Sequence, residues 1–185
     1  PTLLKLKEAL PDGLVMVNIL GGLAADEEAV MPEAMQQTIQ QHWHRIQETV
    51  PGTRFNFDFW TNCEARRSTW PACRGVIAAA KQGAQYEDEM IEAIQKAYYL
   101  DARNPSDYST LIEVATELGL DPQQYAIDIK SEETEAELQR QLRFTIDYLV
   151  TGFPSLVLDT EDQRHMLMID YNNHEIMLEA IKAII

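Results

Sequence analysis

The spacing of apolar positions changes character along this chain, and the changes mark its organisation. Leu3, Leu4, Leu6 and Leu10 suit one face of a short helix, which Pro11-Asp12-Gly13 stops. Leu14-Val15-Met16-Val17-Asn18-Ile19-Leu20 is then a nearly unbroken apolar run, the pattern of a strand buried on both faces. Gly21-Gly22 ends it, and an acidic loop leads to Pro32, placed for a first helical turn.

From there to about residue 150 the period is helical. Met35, Ile39, Trp43, Ile46 and Val50 form one amphipathic stripe, closed by Pro51-Gly52. Residues 54–60 alternate, but with no strand partner nearby they are expected to be an aromatic loop packed on the helices. Further helices are predicted over 71–82, 86–100, from Ser106 or Asp107 to Leu118-Gly119, and from Asp121-Pro122. A last long helix starts at Ser131, with the face Leu138, Leu142, Ile146 and Leu149. Its early acids, Glu132, Glu133, Glu135 and Glu137, favour the positive end of the helix dipole and otherwise read as a solvated face.

After Gly152 a β pattern returns. Residues 155–158 and 165–169 are predicted strands, joined by a polar hairpin loop at Glu161-Asp162-Gln163. Ile176, Leu178, Ala180, Ile181 and Ile184 belong to a terminal helix. A strand that returns after a long helical crossover predicts an α/β protein with a split βαβ arrangement.

Composition narrows the function classes. The 185 residues carry 30 acidic and 15 basic side chains, a net charge of −15. That balance excludes the basic footprint needed for nucleic acid or an anionic membrane surface. No apolar run approaches the length of a membrane span. Cys63 and Cys73 match no zinc spacing and no secreted disulfide framework, so two independent thiols are expected, Cys63 an inert one. His42 and His44 flank Trp43 and, two apart on a helix, point away from each other, so no metal site is expected. The first residues already read as helix interior, which leads to the expectation that the natural protein continues upstream of Pro1. Any targeting signal would lie there; without one the cytoplasm is the default location, and the sequence sets no oligomeric state.

Three blocks carry a resemblance. One is Ala97-Tyr98-Tyr99-Leu100-Asp101-Ala102-Arg103-Asn104-Pro105-Ser106-Asp107, continued by Leu111, Ala115 and Leu118-Gly119-Leu120-Asp121. Another is Arg67-Ser68-Thr69-Trp70-Pro71-Ala72-Cys73-Arg74, opening a helix. The third is Gly152-Phe153-Pro154-Ser155, ahead of an apolar strand. Together the chain resembles the DsbA-like branch of the thioredoxin superfamily, and more narrowly bacterial proteins described as predicted disulfide isomerases.

The resemblance implies a thioredoxin-like fold with a large inserted all-helical domain. Residues 1–30 and 150–185 would form the discontinuous core, lacking its first strand, and residues 31–149 the insertion. It implies a cis bond before Pro154, with Gly152, Phe153 and Pro154 forming the floor of a thiol site. Cys73 and Arg74 are candidates for a groove; their plainer roles are a buried thiol and an ion pair. The family's Cys-x-x-Cys does not occur here, so the nucleophilic cysteines are expected before Pro1 and no catalytic residue within the chain. The implied activity is that of a thiol-disulfide oxidoreductase or isomerase acting on protein or small-molecule disulfides, with no cofactor beyond thiols and glutathione as a candidate substrate. Two alternatives share the architecture: a glutathione-dependent transferase or isomerase of the kappa or hydroxychromene-carboxylate type, and a redox-inactive peptide-binding domain.

Overall fold

The computed structural model describes residues 2–160 and 162–185; Pro1 and Glu161, the latter in the expected hairpin loop, lie outside them. The chain divides into two compact units, Pro1–Ile19 with Arg143–Ile185, and Leu20–Leu142.

The first unit contains α1 (Thr2–Glu8), the end of α8 (Glu132–Asp147), β1 (Leu156–Asp159), β2 (Arg164–Leu167) and α9 (His174–Lys182). β1 and β2 pair antiparallel, Leu156 opposite Leu167 and Leu158 opposite His165. The Thr160 amide donates to the Gln163 carbonyl at 3.0 Å across the connection. Period-two alternation puts Leu158 and Leu167 on the face that packs with Leu6, Met177 and Ile181. Only Leu6 of the predicted α1 stripe is buried, Leu3 and Leu4 being half exposed, and in α9 Met177 rather than Ile176 turns inward.

Leu14–Leu20 departs from expectation: it is not a strand. Among the described residues β1 pairs with β2 alone, so this run has no ladder to join. It also buries one face rather than two. Leu14 and Met16 pack into the core while Val15 and Val17 are 84% and 70% exposed.

The second unit is helical: α2 (Glu33–Thr49), α3 (Phe59–Asn62), α4 (Trp70–Gln82), α5 (Tyr86–Tyr99), α6 (Tyr108–Glu117), α7 (Pro122–Asp128) and the start of α8. α4 is central. Its small residues Ala78 and Ala79 are fully buried among Met90 and Ile94 of α5, Leu111 and Val114 of α6, and Tyr125 of α7. A second cluster gathers Trp43, Phe59, Met31 and Ala65, with Phe55, Phe57, Tyr98 and Tyr99 around them. The aromatic segment thus packs as expected, except that its end forms the short helix α3.

The helix ends follow local chemistry. The Asp121 carboxylate accepts the amides of Gln123 and Gln124, capping α7 ahead of Pro122. The Ser131 hydroxyl accepts the Thr134 amide at 3.2 Å. Asp107 occupies the cap position of α6 but makes no side-chain cap bond, because it pairs with Arg66 instead. After α6, Gly119 takes the left-handed conformation that glycine adopts without steric cost, and the Leu120 amide closes onto Ala115.

α8 ends in the same motif with the wrong residue. The Val150 amide bonds the Thr145 carbonyl, the Leu149 amide bonds Ile146, and Leu149 sits at φ +54. Leu149 is 80% exposed, so little burial offsets the left-handed penalty of roughly 1 kcal/mol. Because glycine also loosens the unfolded chain, Leu149→Gly is expected to raise the melting temperature by only about 1–2 °C in a thermal melt. The predicted α8 stripe is also rotated: Ile146 and Leu149 face solvent, and Thr134, Leu138, Gln141 and Thr145 are the buried positions.

Candidate functional site

The first turn of α4 carries Cys73 and Arg74. Thr69 precedes the helix, yet its hydroxyl does not cap it. Instead the Thr69 hydroxyl bonds the Ala24 amide and carbonyl, both at 3.0 Å, and the Trp70 indole donates to the Gly22 carbonyl at 3.0 Å. Cys73 therefore lies under the segment that follows Leu20. Burial pushes its thiol above the ordinary cysteine range, although the Gly22 backbone and the Arg74 charge pull the other way. A thiol kept protonated is a poor nucleophile at neutral pH.

Arg74 is 10% exposed at its side chain and fully engaged. Its two terminal nitrogens donate to the two Asp26 oxygens at 2.8 and 2.7 Å, and Nε donates to Glu135 at 2.7 Å. The Tyr108 hydroxyl lies 3.4 Å from Nη1, and the Trp70 ring lies 5.8 Å from the guanidinium carbon. The Asp26 bonds drive the already strong base higher still. Glu135 is held below the usual carboxylate range: burial opposes its charge, but bonds from Gln139 and Arg74 outweigh it. This is a fork-to-carboxylate pair with a second acid on its side, an arrangement that orders backbone.

The other candidate element is the loop entering β1. The Phe153–Pro154 peptide bond is cis. Residues 151–155 are all exposed, Phe153 by 43%, and the Ser155 hydroxyl donates to the Gly152 carbonyl at 2.6 Å. The chain then becomes a strand whose Leu158 is buried, with its second edge bearing no ladder among the described residues. Such a loop offers exposed backbone and one aromatic side chain beside a fixed strand.

The Cys63 thiol donates to the Ala102 carbonyl at 3.1 Å, and burial raises its pKa. His44 stacks on Phe57 with ring centroids 4.4 Å apart, and His42 is exposed on the same helix. Glu135, expected on a solvated helix face, instead bonds Arg74, and the sequence marks neither Asp26 nor Tyr108 as a partner of that arginine. The acidic loop holding Asp26 was visible, but nothing local marks one acid as an arginine partner.

A family model of the DSBA-like thioredoxin domain matches residues 16–181. Among solved structures, the chain is similar to a candidate protein disulfide isomerase from Nitrosomonas europaea, with TM-score 0.75 and 22% identity over 86% of this chain and 78% of that one. It is also similar to the cytosolic disulfide reductase DsbM from Pseudomonas aeruginosa, with TM-score 0.74 and 20% identity over 98% of this chain and 89% of that one. The same reductase with GSH gives TM-score 0.72 and 21% identity, again over 98% and 89%. No curated protein gives a match to the chain. At these identities the structural likeness is one of fold: thioredoxin-like, with a helical insertion. With the family model running through both compact units, the chain belongs to the DSBA-like thioredoxin domain family.

Proposed function

We propose that the protein is a thiol-disulfide oxidoreductase that reduces or isomerises disulfides through a cysteine pair upstream of Pro1. The observation that carries this reading is the family match over residues 16–181, joined to the state of the chain's own thiols. Both Cys63 and Cys73 are pushed up by burial, the reverse of what an attacking cysteine needs. A cysteine at the N-terminal end of the helix that continues into α1 would instead gain from the helix dipole.

In this reading the unit with α1, β1, β2 and α9 is the thioredoxin-like core, and the other unit is the inserted helical domain. The same reading puts the family's first strand upstream as well, in keeping with the β1 edge that carries no ladder among the described residues. The attacking thiolate forms a bond to one substrate sulfur, the substrate S–S bond breaks, and the departing thiolate takes up a proton. The second cysteine then attacks the mixed disulfide. Substrate leaves reduced by two electrons while the cysteine pair is oxidised, and an external thiol such as glutathione restores the pair. Gly152, Phe153 and Pro154 support the substrate backbone. No further cofactor enters. Glutathione is the small thiol to test, since the solved reductase with GSH shares this fold.

The test is insulin reduction by dithiothreitol, using protein that carries the natural segment before Pro1. Precipitation of the insulin B chain is expected to start several-fold sooner than with dithiothreitol alone. If a Cys-x-x-Cys is present there and precipitation is not accelerated, the reading fails.

A further inference from the structure

Between Leu20 and Val30 the chain has no buried residue. It nevertheless crosses the first turn of α4 in one defined path, held by polar ties spaced along it. The Leu20 amide donates to Gln141 Oε1 at 2.8 Å, Trp70 reaches Gly22, Thr69 holds both polar groups of Ala24, and Arg74 grips Asp26. Gly22 fits because the approach is close: at φ +51, a Cβ there would run into the Leu142 side chain and lie 3.0 Å from the Trp70 indole nitrogen. Cys73 lies at the same end of α4 as Thr69, Trp70 and Arg74, the three residues that hold the segment, and is itself only partly exposed.

The ties are partly buried, but a segment with no buried residue of its own opens at a smaller cost than global unfolding. The helix it covers is different in kind, since Ala78 and Ala79 of α4 are fully buried. We propose that residues 21–26 form a strap that opens as a unit over the first turn of α4, with the Arg74–Asp26 pair as its latch and Cys73 as the thiol it guards. The strongest tie sits at the far end, where two charge-assisted bonds act together. The ties at Gly22 and Ala24 are neutral and individually weaker. Releasing Asp26 therefore frees the strap from its far end, leaving α4 intact. This inference stands apart from the oxidoreductase reading, because the nucleophile of that reading is not Cys73.

The test is iodoacetamide labelling of the folded chain, with the rates at Cys73 and Cys63 read separately by peptide mass. Asp26→Asn keeps the shape of the side chain and removes its charge. It is expected to raise the Cys73 rate about tenfold, the partly exposed position of Asp26 limiting the effect, while the Cys63 rate stays constant. An unchanged Cys73 rate overturns the proposal, and so does an equal rise at both cysteines, which would report general loosening. Hydrogen exchange on the unaltered protein tests it without a variant. The Ala24 amide, which the Thr69 hydroxyl protects while the strap is closed, is expected to exchange at least a hundredfold faster than those of Ala78 and Ala79; equal protection would show that the strap opens only with the helix beneath it.

Discussion

Replacing Trp43 by alanine is expected to cost about 3–5 kcal/mol, the range for deleting a buried large aromatic. The ring is 4% exposed and is the hub of its cluster. It stacks on Phe55 at 4.8 Å and meets Phe57, Tyr98 and Tyr99 edge-on at 5.5, 5.4 and 5.7 Å. These edge and offset geometries add to the area term rather than repeat it. Beside Trp43, α2 itself contributes only Met35 and Ile39 to the cluster, so the helix docks chiefly through this one ring. For a chain of this size the fall in melting temperature should be roughly 10–15 °C. Trp60 supplies the contrast. Its indole nitrogen is the buried side-chain polar atom without a hydrogen-bond partner among the described residues. Trp60→Phe removes that uncompensated donor along with some packing, so its cost should stay below about 1.5 kcal/mol. A Trp43→Ala loss as small as that of Trp60→Phe would show that the aromatic cluster is not a core.

Gly75→Ala is the second large effect, and here two terms of opposite sign compete. In the middle of α4, helix propensity favours alanine by about 1 kcal/mol. The space does not. A Cβ on Gly75 would lie 2.8 Å from the Tyr125 hydroxyl, and that ring is fully buried, so the oxygen cannot swing away. The hydroxyl also donates to the Gly75 carbonyl at 3.1 Å, and displacing it strands a buried donor. Overpacking of about 1–3 kcal/mol plus a stranded donor of about 1–3 kcal/mol exceeds the propensity gain, for a net loss of about 1–5 kcal/mol. Tyr125→Phe removes the oxygen that clashes, so the double variant should be less destabilised than the two single losses summed. Additive losses in denaturant melts would place the cost elsewhere.

The helices were legible because their signals are local. The step of three and four that places Trp43 inward, the Asp121-Pro122 start and the Gly119 stop each depend on a few neighbouring residues. Strand formation at Leu14–Leu20 was not legible. An apolar run states what can be buried, whereas a strand needs a hydrogen-bonding neighbour that the run itself does not specify. α8 was misread for a related reason. Gln141 turns inward because its amide is used, its oxygen by the Leu20 amide and its nitrogen by Glu137, and a hydrophobic stripe cannot anticipate a satisfied polar side chain.

The same division runs through the candidate residues. The proline loop announces itself by glycine, aromatic, proline and strand in succession. The partners of Arg74 lie 48 and 61 positions away, in a chain with 30 acids from which to choose. Pairing of that kind is settled by tertiary packing alone.

The central claim is that the reacting cysteine belongs to the segment before Pro1 and that the two thiols of the chain itself are bystanders. It is tested most directly by exposing protein with that segment to oxidised glutathione and locating the first mixed disulfide by peptide mass. The adduct should appear on an upstream cysteine, with Cys63 and Cys73 unmodified until that site is filled. A first adduct on Cys73 would contradict the account.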